Sequence, residues 1–226
     1  MTEKPAKPKP SLRREPTQER AQHTIHTIFQ ATAQIVQDEG EQALNTNKIA
    51  AKAGFSIGTL YQYFKSKDSI VEAMIQSQRA WVIQRLADLL SRAERTEQPP
   101  REMVAAFIHE LVQAVGSGQA DAALHPASPR KTRRAMIRLA WRRDDGMAIT
   151  QGLRAVSERI SLYLARASTA SGGTLKLRSS PATLFVVTRA VIGTIRSASI
   201  EDSPLLGSPE FEEELVRLAW AMLVEA

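Results

Sequence analysis

The chain has 226 residues, 30 Lys+Arg against 24 Asp+Glu, a formal charge of +6 and no cysteine. A length of this order suits one domain or two small ones and buries roughly two-thirds of the unfolded chain's surface. Without cysteine there is no disulfide scaffold, thiolate zinc site, iron–sulfur cluster or cysteine nucleophile. The densest apolar patch, Leu184-Phe185-Val186-Val187, falls far short of the ~20 residues that span a bilayer. The opening MTEKPAKPKP lacks the apolar core of a signal peptide. A cytoplasmic protein with no membrane partner is expected, and the positive balance favours a polyanion or an anionic surface.

Residues 1–16 carry Pro5, Pro8, Pro10 and Pro16 among the cations Lys4, Lys7, Lys9, Arg13 and Arg14. Such a stretch has almost nothing to bury and is expected to be disordered, as a solvated tail or as a basic arm reaching phosphate. From about Thr17 the apolar period is helical: Ile25, Ile28, Phe29, Thr32 and Val36 form one stripe that Gly40 ends. Further helices are predicted over Thr46–Ala53, Ile57–Phe64, Lys67–Ala93, Pro100–Val115, Arg130–Trp141, Met147–Ser168, Pro181–Ser199 and Pro209–Val224. Pro99-Pro100, Gly116-Ser117-Gly118, Gly172-Gly173 and Ser203 to Pro209 punctuate them. Strand-like alternation occurs only in Thr174–Arg178, too short to matter. The fold class is all-α.

The stretch 46–64, TNKIAAKAGFSIGTLYQYF, is the most informative. Thr46 suits an N-cap, and Ile49, Ala50 and Ala53 give a small apolar face on a helix too short to stand alone. Gly54 permits a sharp turn with Phe55 as a buried plug. Ser56 caps the next helix and leaves the amides of Ile57, Gly58 and Thr59 at a positive dipole end suited to phosphate. Two short helices joined by a glycine turn make a helix-turn-helix, whose second helix enters the DNA major groove. Leu60 and Phe64, four apart, face the core. Ile57, Thr59, Tyr61, Gln62 and Tyr63 then take the outward angles, where hydroxyls and an amide suit phosphates and base edges. Ser66 caps the following helix, with Asp68 in its first turn and Lys67 where that helix meets the DNA backbone.

Residues ~22–74 resemble the DNA-binding domain of the TetR (tetracycline-repressor-like) family of bacterial regulators. TIHTIFQATAQIVQDEG and NKIAAKAGFSIGTLYQYFKSKDSIVEAM carry the likeness, about a quarter of the chain. The chain is expected to divide into the basic arm at 1–16, a helix-turn-helix domain at 17–66 and, as the resemblance implies, a ligand-binding and dimerisation domain at 67–226. The resemblance also implies phosphate contacts from Thr46, Tyr61, Tyr63, Lys67 and the Gly58 backbone, and base-edge contacts from Asn47, Ile57, Thr59 and Gln62. Ile57 departs from the polar or basic residue of many relatives; it reads a thymine methyl or nothing. Lys48 and Lys52 are expected to be solvated or to reach phosphate. The partners implied are a palindromic double-stranded operator, a second copy of the chain and a small-molecule effector, in a regulator that is most often a repressor. The alternative is a DNA-binding regulator whose C-terminal half only dimerises.

In that half, the resemblance puts dimerisation on the last two helices. Phe185, Val186, Ala190, Val191, Gly193, Thr194 and Ala198 run along one, and Leu215, Leu218, Ala219, Met222 and Leu223 along the other. Met103, Phe107, Met136, Trp141, Met147 and Tyr163 are either the lining of an effector cavity or plain core. The cations of SPRKTRRAMIRLAWRR form a solvated face, bind an anionic ligand or pair with the acidic tail containing Glu201 and Asp202.

Enzyme signals are weak. His23 and His26 lack a third ligand nearby, His109-Glu110 lacks the second histidine of a zincin, and His125 stands alone. Gly116-Ser117-Gly118 follows no strand, and Gly-x-Ser-x-Gly is absent. No catalytic residue, metal or cofactor is expected.

Overall fold

The computed structural model describes residues 15–117, 130–143, 147–172 and 174–225. The helices are α1 Glu15–Glu39, α2 Thr46–Ala53, α3 Ile57–Tyr63, α4 Lys67–Arg95, α5 Pro100–Leu111, α6 Arg130–Arg143, α7 Met147–Ala170, α8 Pro181–Ile200 and α9 Pro209–Leu223. A 3-10 turn, Glu41–Ala43, precedes α2, and a π-helical turn, Val112–Ser117, extends α5. The arm expected at 1–16 lies outside the described residues except for Glu15 and Pro16, which begin α1. A proline is tolerated there because first-turn amides have no partner within the helix. Gly118 and His125 lie outside the described residues, and so does the side chain of Met147.

Local sequence explains most helix ends. Gly40 closes α1 at φ 82°, donating to Val36 O at 3.1 Å. α2 is capped by Asn45, whose side chain accepts from the Lys48 amide at 2.8 Å, and not by the expected Thr46, which is the first helical residue. Asparagine is at least as good a cap, and its extended backbone (φ −148°) is the conformation a cap requires. Ser56, Ser180 and Ser208 cap α3, α8 and α9 in the same manner. Ser66 and Ser69 form a reciprocal capping box, each amide accepted by the other's hydroxyl at 3.1 Å.

Two cores share α4, about 44 Å long at 1.5 Å per residue. Its first turns (Ile70, Val71, Met74, Ile75) pack with Ile28, Phe29 and Ile35 of α1, Ile49 of α2, and Leu60 and Phe64. The Phe29 and Phe64 rings stand 5.9 Å apart in a tilted pair. Farther along, Val82, Leu86 and Leu90 join α5, α7, α8 and α9 in the second core, through residues such as Phe107, Leu164, Ile195 and Leu215. Ion pairs and a hydrogen bond brace the second unit: Arg85 holds Glu110 bidentately at 2.5 and 2.9 Å, Arg159 holds Glu94 at 2.7 Å, and His109 Nδ1 lies 2.8 Å from the Glu212 carboxylate. The strand-like Thr174–Arg178 stretch makes one antiparallel bridge, Leu177 to Val224, tying the chain's end back beside α7.

α6 belongs to both units. Met136 and Leu139 are buried in the N-terminal core, and the Thr132 hydroxyl bonds the Gln37 side chain on α1. Its opposite face meets α8 and the π-helical turn, where the Trp141 indole N–H donates to Val115 O at 2.9 Å.

Candidate nucleic-acid interface and effector cavity

The helix-turn-helix follows from short-range geometry. Gly54 adopts φ 74°, and the amides of Gly54 and Phe55 return to Ala51 O and Ala50 O at 3.2 and 3.0 Å, a Schellman end to α2. A non-glycine residue with a β-carbon would be strained there. Phe55 is half-buried against the N-terminal core, less enclosed than the expected plug. α3 follows at once. Leu60 is fully buried at 0% exposure and Phe64 nearly so, which fixes the rotation of the helix.

That rotation turns the other side chains outward. Tyr61 is 53% exposed, Ile57 and Tyr63 each 37%, and Gln62 and Gly58 are exposed as well. Thr59 is half-buried, and its hydroxyl lies 2.9 Å from Ser56 Oγ. Asn47 is exposed on the first turn of α2. The Thr46 hydroxyl and the Tyr61 phenol meet at 3.2 Å, joining the start of α2 to the middle of α3. A β-carbon on Gly58 would meet only Ser56 Oγ, at 3.7 Å. The folded chain therefore gives no steric reason for glycine there, whereas an approaching partner backbone would.

Lys67, first residue of α4, is half-buried beside this face. Lys48 and Lys52, expected to be solvated or to reach phosphate, pair with Glu39 and Asp38 at the end of α1, the second pair at 3.4 Å.

The basic run on α6 splits between partners. Arg134 and Arg138 pair with Asp202 between α8 and α9, at 2.6 and 3.2 Å. Arg143 reaches Glu41 at 2.5 Å and Asp68 at 3.1 Å, both in the N-terminal unit. Burial opposes the Arg143 charge, but hydrogen bonds to the two carboxylates outweigh it and hold the pKa above its ordinary value. Sequence reasoning missed this bridge because its members are 75 or more positions apart. Arg143→Ala is expected to cost about 1 kcal/mol, the scale of a partly exposed charge network. A double-mutant cycle with Glu41→Ala, read by urea denaturation, checks it; full additivity would show no coupling.

Two cavities flank Leu111 and Ile192, which line both. One, among α5, α7, α8 and α9, includes Met103 and Phe107. The other, among α4, the π-helical turn, α6 and α8, includes Gln78, Ile137, Ala140 and Trp141. Their enclosed volumes are about 80 Å³ and about 50 Å³, below the roughly 300–1,000 Å³ of drug-sized sites, so a ligand of that size must widen either one on binding. Of the remaining residues expected near an effector, Met136 faces the N-terminal core instead of a cavity. Tyr163 is buried in the second core with its hydroxyl donating to Gln98 O. Burial, then the charges of Glu102 and Glu94, raise its pKa.

This arrangement defines an all-α protein with an N-terminal helix-turn-helix presenting an outward polar face. Residues 28–74 match the bacterial regulatory proteins of the tetR family. The chain is 29% identical over 76 residues to the nucleoid occlusion factor SlmA of Actinobacillus pleuropneumoniae, covering 34% of this chain and 36% of that one. It is 33% identical over 66 residues to the HTH-type transcriptional repressor KstR2 of Mycolicibacterium smegmatis, covering 29% and 32%. The matched stretch thus spans about a third of each of these relatives. Among solved structures it resembles SmeT, the repressor of the Stenotrophomonas maltophilia multidrug efflux pump SmeDEF (TM-score 0.63, 18% identity, 89% of this chain and 90% of that one). It also resembles the ketosteroid transcriptional regulator KstR2 of Mycobacterium tuberculosis (TM-score 0.55, 14% identity, 89% and 95%). Residues 28–74 thus match the tetR-family DNA-binding region, and the chain as a whole shares the fold of these solved regulators.

Proposed function

We propose that the chain is a homodimeric, ligand-responsive repressor acting by binding and not by catalysis. Two copies of α3 lie in successive major grooves of a palindromic operator, and a small-molecule effector releases them. The observation that carries this reading is the division of α3: Leu60 is sealed inside while Ile57, Tyr61, Gln62 and Tyr63 stand outside. In this seven-residue helix Tyr61 leaves more than half of its surface outside the fold, with the 3.2 Å contact to Thr46 as a tie to α2. On a duplex Tyr61, Tyr63, Thr46, Lys67 and the Gly58 amide meet phosphates, while Asn47, Ile57, Thr59 and Gln62 face base edges.

Dimerisation is supported by what α8 and α9 leave uncovered. Val191, Ile195, Ala198, Leu215, Ala219 and Leu223 of the two stripes are buried in the chain's own core. Phe185, Val186 and Leu218 remain exposed, with Gly193 open to space. α8 is long and apolar enough to cross a membrane by length and composition, yet only 33% of its most apolar window is buried. A self-complementary contact between copies accounts for that exposed apolar face and supplies the two-fold symmetry a palindrome demands.

Release is supported by α6, which lines a cavity on one side and is keyed to the N-terminal unit on the other through Met136, Leu139, Thr132 and Arg143. An effector preferring a different setting of α6 changes the spacing of the two α3 helices. Shifting the population from 1:99 to 99:1 takes a roughly 10⁴-fold affinity difference between the states.

Lys67→Ala is expected to weaken binding to all duplexes and reduce the salt slope by about one, whereas Gln62→Ala shifts preference at one base position by about 1–3 kcal/mol. Titrations against several duplexes at several salt concentrations separate them. Indifference to both substitutions would remove these contacts from the account.

A further inference from the structure

Gln78 is where the chemistry of the α4–α6–α8 cavity becomes legible. Its side-chain N–H donates to Ala114 O at 3.3 Å in the π-helical turn. Its Oε1 is the one buried side-chain polar atom, among the described residues, that no hydrogen-bond donor reaches. A buried acceptor without a donor from the chain costs the desolvation of that group, and a bound molecule that donates there removes the cost.

The surroundings point to a ligand. Gln78 lines a cavity otherwise walled by apolar side chains such as Val82, Ile137, Ala140 and Trp141. Arg79 is the charged residue on that wall, and it is engaged within the chain. One side is formed by the π-helical turn, a geometry found frequently at functional sites. The carbonyls of that turn at Ala114 and Val115 are taken by the side chains of Gln78 and Trp141. Gly116 in the turn is pinned, since a β-carbon would come within 2.9 Å of Leu206 and 3.1 Å of Ile195. Gln78 is therefore held by the bond to Ala114 with its carbonyl oxygen left free.

We infer that this cavity, and not the neighbouring one lined by Met103 and Phe107, is the effector site. Its ligand is an uncharged, mainly apolar molecule that presents one hydroxyl or N–H to Gln78 Oε1. The inference rests on the ligand-responsive reading above and adds the class of ligand. A carboxylate or ether at the same point would set oxygen against oxygen with no proton between them. Gln78 lies on α4, eleven residues from Lys67, so the donor binds the same rigid helix that carries a proposed DNA contact.

The test uses the full chain and three probes that share one ring system: 2-naphthol, 2-methoxynaphthalene and 2-naphthoate, titrated by calorimetry without DNA. One 2-naphthol is expected per chain, at least tenfold tighter than the ether, with the carboxylate weakest. Gln78→Met should bring the alcohol-to-ether ratio to within about twofold. Ala140→Phe fills the cavity while keeping the Gln78 side chain and should abolish binding of both, which keeps the test decisive if the Met variant fails to fold. Equal affinity for alcohol and ether, tightest binding of the carboxylate, a ratio that survives Gln78→Met, or binding that survives Ala140→Phe would overturn the assignment. Duplex affinity is measured on the same samples. Its absence would overturn the regulator reading alone, while a failure of probe discrimination beside intact duplex binding would overturn the ligand assignment alone.

Discussion

Phe185→Glu is expected to leave each chain folded but monomeric, and to lower operator affinity by about 10²–10⁴-fold. The side chain is 60% exposed, so its replacement removes little from the chain's own core. Arg189, one turn on, stacks its guanidinium 4.8 Å from the Phe185 ring and lies where a new carboxylate would find a partner within the helix. The cost falls on the proposed contact between copies, where a charge must be buried against Val186, Leu218 and their symmetry mates. Loss of the second half-site contact then removes the effective-concentration gain of a two-headed binder. Analytical ultracentrifugation and duplex titration check both parts. A variant that stays dimeric would move the interface elsewhere.

Leu60→Ala is expected to destabilise the chain by about 2–5 kcal/mol, the range for truncating a fully enclosed leucine. Leu60 is 0% exposed and touches no solvent from which to recover the loss. α3 has seven residues, too few to hold helical form without its packing. Truncation therefore removes both the anchor and the rotation that presents Tyr61 and Gln62. The urea midpoint should fall, and duplex affinity should drop more than for any single outward-facing substitution. An unfolding free energy within about 0.5 kcal/mol of the parent's would mean that Leu60 does not hold α3 in place.

The helix order and most boundaries were legible because the signals are local. Gly40, Gly54, Ser56, Ser66, Pro100, Pro181 and Pro209 sit within a residue or two of an element end. The four-residue spacing of Leu60 and Phe64 was enough to assign the inward face of α3. The cap of α2 was misplaced by one residue because Asn45 and Thr46 are both good capping residues and only the backbone angles separate them. Other features depend on partners far away in sequence. The Thr46–Tyr61 pair, the Arg143 bridge to Glu41 and Asp68, and the turning of Met136 toward the N-terminal core each need tertiary placement. Gln78 carried no sequence signal, since a glutamine in a long amphipathic helix reads as a solvated position. The π-helical turn was hidden for a similar reason: Gly116-Ser117-Gly118 reads as a helix end, whereas Gly116 and Ser117 continue the coil more widely.

On the proposed function, α3 reads a duplex from its outward face. Selection of bound sequences from a random double-stranded pool, run in parallel on the parent chain and Gln62→Ala, tests it most directly. The expected result is an inverted repeat with half-site centres about 10–10.5 base pairs apart or a multiple of that, changed in the variant at one symmetric position. Recovery of no common sequence by the parent at low salt, or of an identical sequence by both proteins, would contradict it.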